Sequence, residues 1–330
     1  MFPGNKSNAV MEKFLSLPQS LDTVMVEYIW IDDTTEPIRS KCKTMNFEPK
    51  LPEDCPDLKA YVLGKVGYLT PVAIFKDPFR QQPNKLVLCE VVDEYKTPAQ
   101  ANTRHSCVRV MKMAENEHPL FTIEQKYILL HTDGSTIGRR LPEGTSYCGV
   151  GANKVFGRSI AEAHYLACLY AGITIGGFNP HVLPALWEFQ VGPCEGVAMG
   201  DQLWVARYLL HRVAEDFGMI ASFDPSIMDG AKSRVGYSTE SMRRTEGSKC
   251  VNTSISTTNE TSSMVNSSCE SPKLKRPRLD LSDSPVGQNS SRSEYNTFTL
   301  LTEDDRLPLS NCDPYIVTEN IVKKTVQLLS

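Results

Sequence analysis

The stretch VMVEYIWI, 24–31, is almost wholly β-branched, aromatic or apolar, and it runs through the turn residues DDTTEP into IRSKCKTM. In that second run Ile38, Ser40, Cys42 and Thr44 alternate with Arg39, Lys41 and Lys43, the period of a strand with one basic, solvated face. The two runs predict a hairpin. TPVAIF at 70–75 and KLVLCEVV at 85–92 predict two more strands, so the first hundred residues read as a small mixed-sheet domain. Over 98–116 the period becomes helical: Cys107, Val110, Met111 and Ala114 recur on one face, and Pro98 suits a first turn.

FTIEQKYILLH from 121 predicts a strand, TDGS a turn, and RSIAEAHYLACLYAG, 158–172, a helix closed by Gly172. LWEFQVG is another strand. GDQLWVARYLLHRVAEDFG, 200–218, is a second long helix, with Asp201 as its N-cap and Gly218 past its end. This mixture of strands and helices through 121–224 marks an α+β or α/β unit. From Ser226 to Asn296 Ser, Thr and Asn dominate and no apolar period survives. Such a segment cannot offset an ordering entropy of about 1–2 kcal/mol per residue, so disorder is expected there. A last helix is predicted from Pro314, and its Ile316, Val317, Ile321, Val322 and Val326 imply docking on a core.

Composition narrows the function classes. Of the 330 residues 41% are hydrophobic and 22% charged, ordinary for a soluble globular protein. A formal net charge of −4 and a pI near 5.9 predict no overall electrostatic attraction to membrane or nucleic acid, so that any direct contact with nucleic acid would have to come from a local patch. The first 21 residues carry no basic cap followed by an apolar run, and no stretch reaches about 18 apolar residues, so neither a secretory signal nor a membrane span is expected. The ten cysteines form no C-x-x-C pair and read as free thiols in a reducing compartment, without a zinc site.

The candidate chemistry lies in LWEFQVGPCEG, with Glu188 and Glu195, and in IEQKY, where Glu124 and Lys126 are two apart and so share a strand face. Several acids on one wall would hold a hard divalent cation, but here an ammonium stands among them. At about 4 Å and an effective dielectric of about 20, one like-charge pair costs about 4 kcal/mol, and a doubly charged ion is opposed more strongly. His164, His181 and His211 read as core or interface residues, and Trp30, Trp187 and Trp204 as core.

YIWIDDT, DPFRQQPNKLVLCEV, YCGVGANKVFGRSIAEAHYLACLYAG, PALWEFQVGPCEG, MGDQLWVARYLLHRVAEDFG and NCDPYIVTE closely resemble animal glutamine synthetase, over about 22–225 and 303–328. The resemblance implies an α+β fold. A β-grasp-like N-terminal domain (22–100) follows an arm (1–21), and a truncated catalytic domain with a curved antiparallel sheet (101–225) comes next. The long disordered insertion (226–296) and a C-terminal remnant helix (297–330) complete the chain. It also implies ring oligomers and a reaction that joins glutamate and ammonia with ATP and Mg or Mn.

Matched position by position, Glu188 and Glu195 fall on ligands of the family's first metal site, whose third ligand, in the motif EQEY, is replaced by Lys126. Glu124 matches a ligand of the second metal site, Asp304 stands where a glutamate would, and Arg306 matches a family arginine. The histidine motif NGAGCHTN, the WNFDGSS loop and the phosphate-binding NRxxSxRIPR segment have no counterpart. These losses imply a glutamine synthetase-like pseudoenzyme that needs no cofactor. The alternative is an active glutamate–ammonia ligase that needs ATP and Mg or Mn.

SPKLKRPRLDLSDSP, 271–285, sets Lys273, Lys275, Arg276 and Arg278 between two Ser-Pro steps, the pattern of a nuclear localisation signal, and phosphorylation of Ser271 or Ser284 would gate it. Nuclear localisation is expected, with a cytoplasmic alternative. The expected partners are further copies of the chain or glutamine synthetase subunits, a nuclear import receptor and an unidentified nuclear protein.

Overall fold

The computed structural model describes residues 13–18, 22–32, 37–62, 65–99, 102–138, 145–228, 234–239, 299–300 and 310–329. The first sheet contains β1 (Val24–Ile31), β2 (Ile38–Met45), β3 (Leu58–Val62), β4 (Lys65–Lys76) and β5 (Lys85–Val92), in the order β2-β1-β5-β4-β3. β1 and β5 are parallel and the other neighbours antiparallel, so the sheet is mixed as predicted. It curls until its edges meet: the Lys41 ammonium on β2 donates to the Lys59 carbonyl on β3. Val26, Tyr28, Leu69, Val87 and Val91 fill its concave side, while Ile29, Leu86 and Leu88 face a second, larger core.

That larger core lies under the second sheet, whose order is β11-β10-β6-β8-β7. Its strands are β6 (Leu120–Leu130), β7 (Ile175–Pro180), β8 (Leu186–Glu195), β10 (Arg234–Ser238) and β11 (Thr299–Leu300), with β9 (Ile220–Ser222) also on β6. Every pairing is antiparallel, which gives the α+β architecture expected. The helices are α1 (Thr103–Met113), α2 (Arg158–Ala171), α3 (Ala198–Asp216) and α4 (Pro314–Leu329). Trp187, Phe189 and Tyr127 are at most 1% exposed, each contributing about 1.5–3 kcal/mol of burial. Trp30 and Trp204 are buried too, as predicted.

Several boundaries differ from the sequence pattern. α1 begins at Thr103, because the Asn102 side chain accepts from the His105 amide, while Pro98 lies in a bridge to Val92. α3 begins at Ala198, so Asp201 is no cap: it sits buried inside the helix against Arg104 and Tyr315. Gly172 and Gly218 do take the left-handed conformation at the helix ends, as predicted. β3 was not predicted; Leu58, Ala60 and Val62 turn inward, but Gly64 and Gly67 mask the strand period around the β3–β4 turn.

Order also extends past 225. Met228 is 3% exposed, and β10 pairs with β6 where disorder was expected. Val235 and Tyr237 supply the reason: both are buried, and the Tyr237 ring lies 5.2 Å from that of Phe121. Residues 240–298, with most of the expected insertion, lie outside the described residues. α4 docks as predicted through Tyr315, Ile321 and Val322, though Ile316 points outward.

Candidate functional site

β6 and β8 lie side by side at the middle of the second sheet. Successive residues of β6 alternate faces: Ile123, Gln125 and Tyr127 are buried, whereas Glu124 and Lys126 are half-buried on the opposite face. Across the register that half-buried face forms two rows. In one, Arg234 of β10 stands opposite Glu124, which stands opposite Gln190 of β8. In the next, Lys126 stands opposite Glu188, which stands opposite Asn179 of β7. The wall therefore carries two carboxylates and two cations.

Glu188 is held by the Asn179 amide, Nδ2 to Oε1 at 2.8 Å, and His181 Nε2 lies 3.8 Å from its other oxygen. Lys126 forms no salt bridge with Glu188 or Glu195: among the described residues no carboxylate lies within 4.0 Å of the ammonium. Asn179 holds one Glu188 oxygen instead, and His181 stands beside the other. Arg234 Nη1 lies 3.8 Å from Glu124 Oε2. Burial raises the Glu124 pKa and the Glu188 charge adds to that, against Arg234 and Lys126, which lower it. Burial lowers the His181 pKa, helped by Lys126 and Arg234 and opposed by Glu188. His181 thus belongs to the wall as well as to the packing; its ring meets Tyr147 edge-on at 6.1 Å, and its Nδ1 is buried with no partner among the described residues.

Glu195 is elsewhere. It pairs with Leu120, six residues along β6 from Lys126, a span of about 20 Å at roughly 3.3 Å per residue. There its carboxylate meets His118 Nδ1 at 2.8 Å, exposed to solvent. The structure thus brings Glu124, Lys126 and Glu188 together and leaves Glu195 apart. Asp304, Arg306, Lys273, Lys275, Arg276, Arg278, Ser271 and Ser284 lie outside the described residues. His164 is a core residue as expected: buried on the Ala206 carbonyl at 3.0 Å, with its pKa pushed down to about 4 by burial.

Beneath the wall, on the buried face, Arg207 grips the strand. Its Nε and Nη2 both donate to Gln125 Oε1, at 2.9 and 2.6 Å, and Nη2 donates to the Cys312 carbonyl at 2.9 Å. Gln125 Nε2 donates to the Ser310 carbonyl at 2.6 Å. The C-terminal segment is thereby tied to the strand that carries Glu124 and Lys126.

The wall does not fit a divalent ion. Such an ion takes six or more oxygens from several sides, whereas both carboxylates here face a cation across the strand. Among the described residues no group of three or more His, Cys, Asp or Glu side chains could hold a metal. Sequence reasoning missed Arg234, Asn179 and the wall role of His181. Only the strand register reveals them, and β10 sits at the start of a Ser-rich run that hides it.

The chain is 43% identical over 350 aligned positions to glutamine synthetase of Mus musculus, 42% over 350 to that of Homo sapiens and 42% over 353 to that of Gallus gallus. Each alignment covers 96% of this chain and 93% of the relative, more of the chain than the 22–225 and 303–328 on which the resemblance rested. No family model matches the chain. Among the described residues no helix is long and apolar enough to cross a membrane.

Proposed function

The chain belongs to the glutamine synthetase family, and on that premise we propose that it works as a pseudoenzyme, an interaction or scaffold protein acting in the nucleus. The observation that carries the reading is Lys126 directly opposite Glu188, an ammonium on the wall where metal-dependent chemistry would need carboxylates alone. In this role the protein needs neither ATP nor Mg or Mn. Its partners are further copies of itself or glutamine synthetase subunits, an import receptor that reads Lys273, Lys275, Arg276 and Arg278, and a nuclear protein met after import.

A second reading is favoured by the length of the similarity. An alignment covering 93% of relatives named glutamine synthetase supports an active glutamate–ammonia ligase using ATP and Mg or Mn. Co-purification tests the first reading. The tagged full chain is expected to bring down catalytic glutamine synthetase or more of itself from nuclear extract. A monomer confined to the cytoplasm, unchanged by Lys275→Ala and Arg276→Ala, would contradict it.

A further inference from the structure

Two carboxylates that share a half-buried wall repel each other and attract whatever positive charge is nearest. In this chain that charge is supplied twice from within. Lys126 comes from β6 itself, at the position directly across from Glu188. Arg234 comes from β10, at the position directly across from Glu124, with its guanidinium 3.8 Å from the carboxylate. Both cations reach over the wall. Each lowers the Glu124 pKa, and each also disfavours the protonated form of His181, which stands beyond Glu188.

We propose that Lys126 and Arg234 are built-in counter-ions, which together offset the charges of Glu124 and Glu188 and leave the wall no net charge with which to recruit a divalent cation. The proposal rests on the non-catalytic reading and names what stands in the metal's place. Arg234 is the new member of the pair, and it is contributed by residues whose composition suggested no structure at all. Its side chain is 66% exposed, so it acts by charge over the wall, without a fixed two-point contact, and salt screens its part more than that of Lys126. Two features follow from the geometry. Removing Lys126 leaves Arg234 beside Glu124, and removing Arg234 leaves Lys126 opposite Glu188. Removing both, with a carboxylate at position 126, would leave three acids within two neighbouring rows, a donor set that a hard cation can use.

Mn²⁺ is the probe, followed by electron paramagnetic resonance of the free ion during titration of the full chain. The wild-type protein is expected to take up no Mn²⁺ that Glu188→Gln abolishes. The double variant Lys126→Glu with Arg234→Gln is expected to bind with half-saturation at least tenfold lower than Lys126→Glu alone. Wild-type uptake lost on Glu188→Gln would overturn the proposal. So would a double variant that melts cooperatively yet binds no better than the single one. Should the double variant fail to fold, the wild-type titration decides, supported by a melting temperature that Mn²⁺ leaves unchanged and contradicted by a rise that Glu188→Gln removes. Wild-type uptake without turnover defeats this inference alone, whereas glutamate turnover defeats the non-catalytic reading itself.

Discussion

Lys126 and Glu188 face each other directly across β6 and β8, yet Glu188 is held by the Asn179 amide, with His181 beside it, rather than by the ammonium. The carboxylate therefore has partners that do not depend on Lys126. Replacing Lys126 with Gln is expected to change unfolding free energy by about 1 kcal/mol or less, the scale of a partly exposed charge. Asn179→Ala removes a direct 2.8 Å hydrogen bond to a charged group and should cost about 1.5–3 kcal/mol. Urea unfolding of the two variants checks the order.

Arg207 is fully buried, and it donates to Gln125 and to the Cys312 carbonyl. Arg207→Met leaves at least two of these acceptors without a donor, at about 1–3 kcal/mol each. A loss of about 3 kcal/mol or more is expected, with hydrogen exchange rising first in 310–329. Equal exchange in that segment would show that the C-terminal helix is held by its apolar face alone.

Arg80 bridges two acids, Asp77 at 2.8 Å and Glu27 at 3.0 Å, and the Asp77 side chain is fully buried. Removing the guanidinium leaves the buried charge without its counter-ion and Oδ2 without its donor, while Oδ1 still accepts from the Phe79 and Arg80 amides. Arg80→Met is expected to cost about 3–5 kcal/mol, and Arg80→Met with Asp77→Asn considerably less. Denaturant midpoints of the two variants decide the point.

His164 has a folded pKa of about 4 against an ordinary value near 6.5, because burial disfavours its charged form. The unfolded chain binds the proton more readily, so stability is full above about 6.5 and falls as pH drops toward about 4. At pH 5 the loss is about 2 kcal/mol. His164→Gln should remove that part of the pH dependence, measured as unfolding free energy at pH 7 and pH 5.

Much of the fold is legible in the sequence and some of it is not, for identifiable reasons. The strong period-two run of β2 and the glycines that end α2 and α3 mark those elements plainly. Asp201 looks like a cap because it stands just before an apolar helical run; only tertiary contact with Arg104 and Tyr315 reveals it as a buried anchor. Gly200 beside it has a related cause, since a Cβ there would collide with the Tyr315 ring. At the site, Glu124 and Lys126 share a face by local spacing alone. Arg234 and Asn179 join them only through long-range register, and the about 20 Å between Glu195 and the wall follows from the pairing of Leu120, which no motif encodes.

β10 and β11 are antiparallel neighbours, with Tyr237 opposite Thr299, so the chain leaves and re-enters the sheet at one place. Replacing 241–297 with a short Gly/Ser linker is expected to shift the melting temperature by only a few degrees, because closure entropy varies slowly with loop length. Nuclear accumulation should be lost in the same variant.

The central claim is that the wall does not support ligase chemistry. The most direct measurement is formation of γ-glutamyl hydroxamate by the purified full chain with ATP, glutamate, hydroxylamine and Mg²⁺ or Mn²⁺. The account predicts no product above the protein-free blank with either metal. Product that disappears in Glu188→Ala would contradict it.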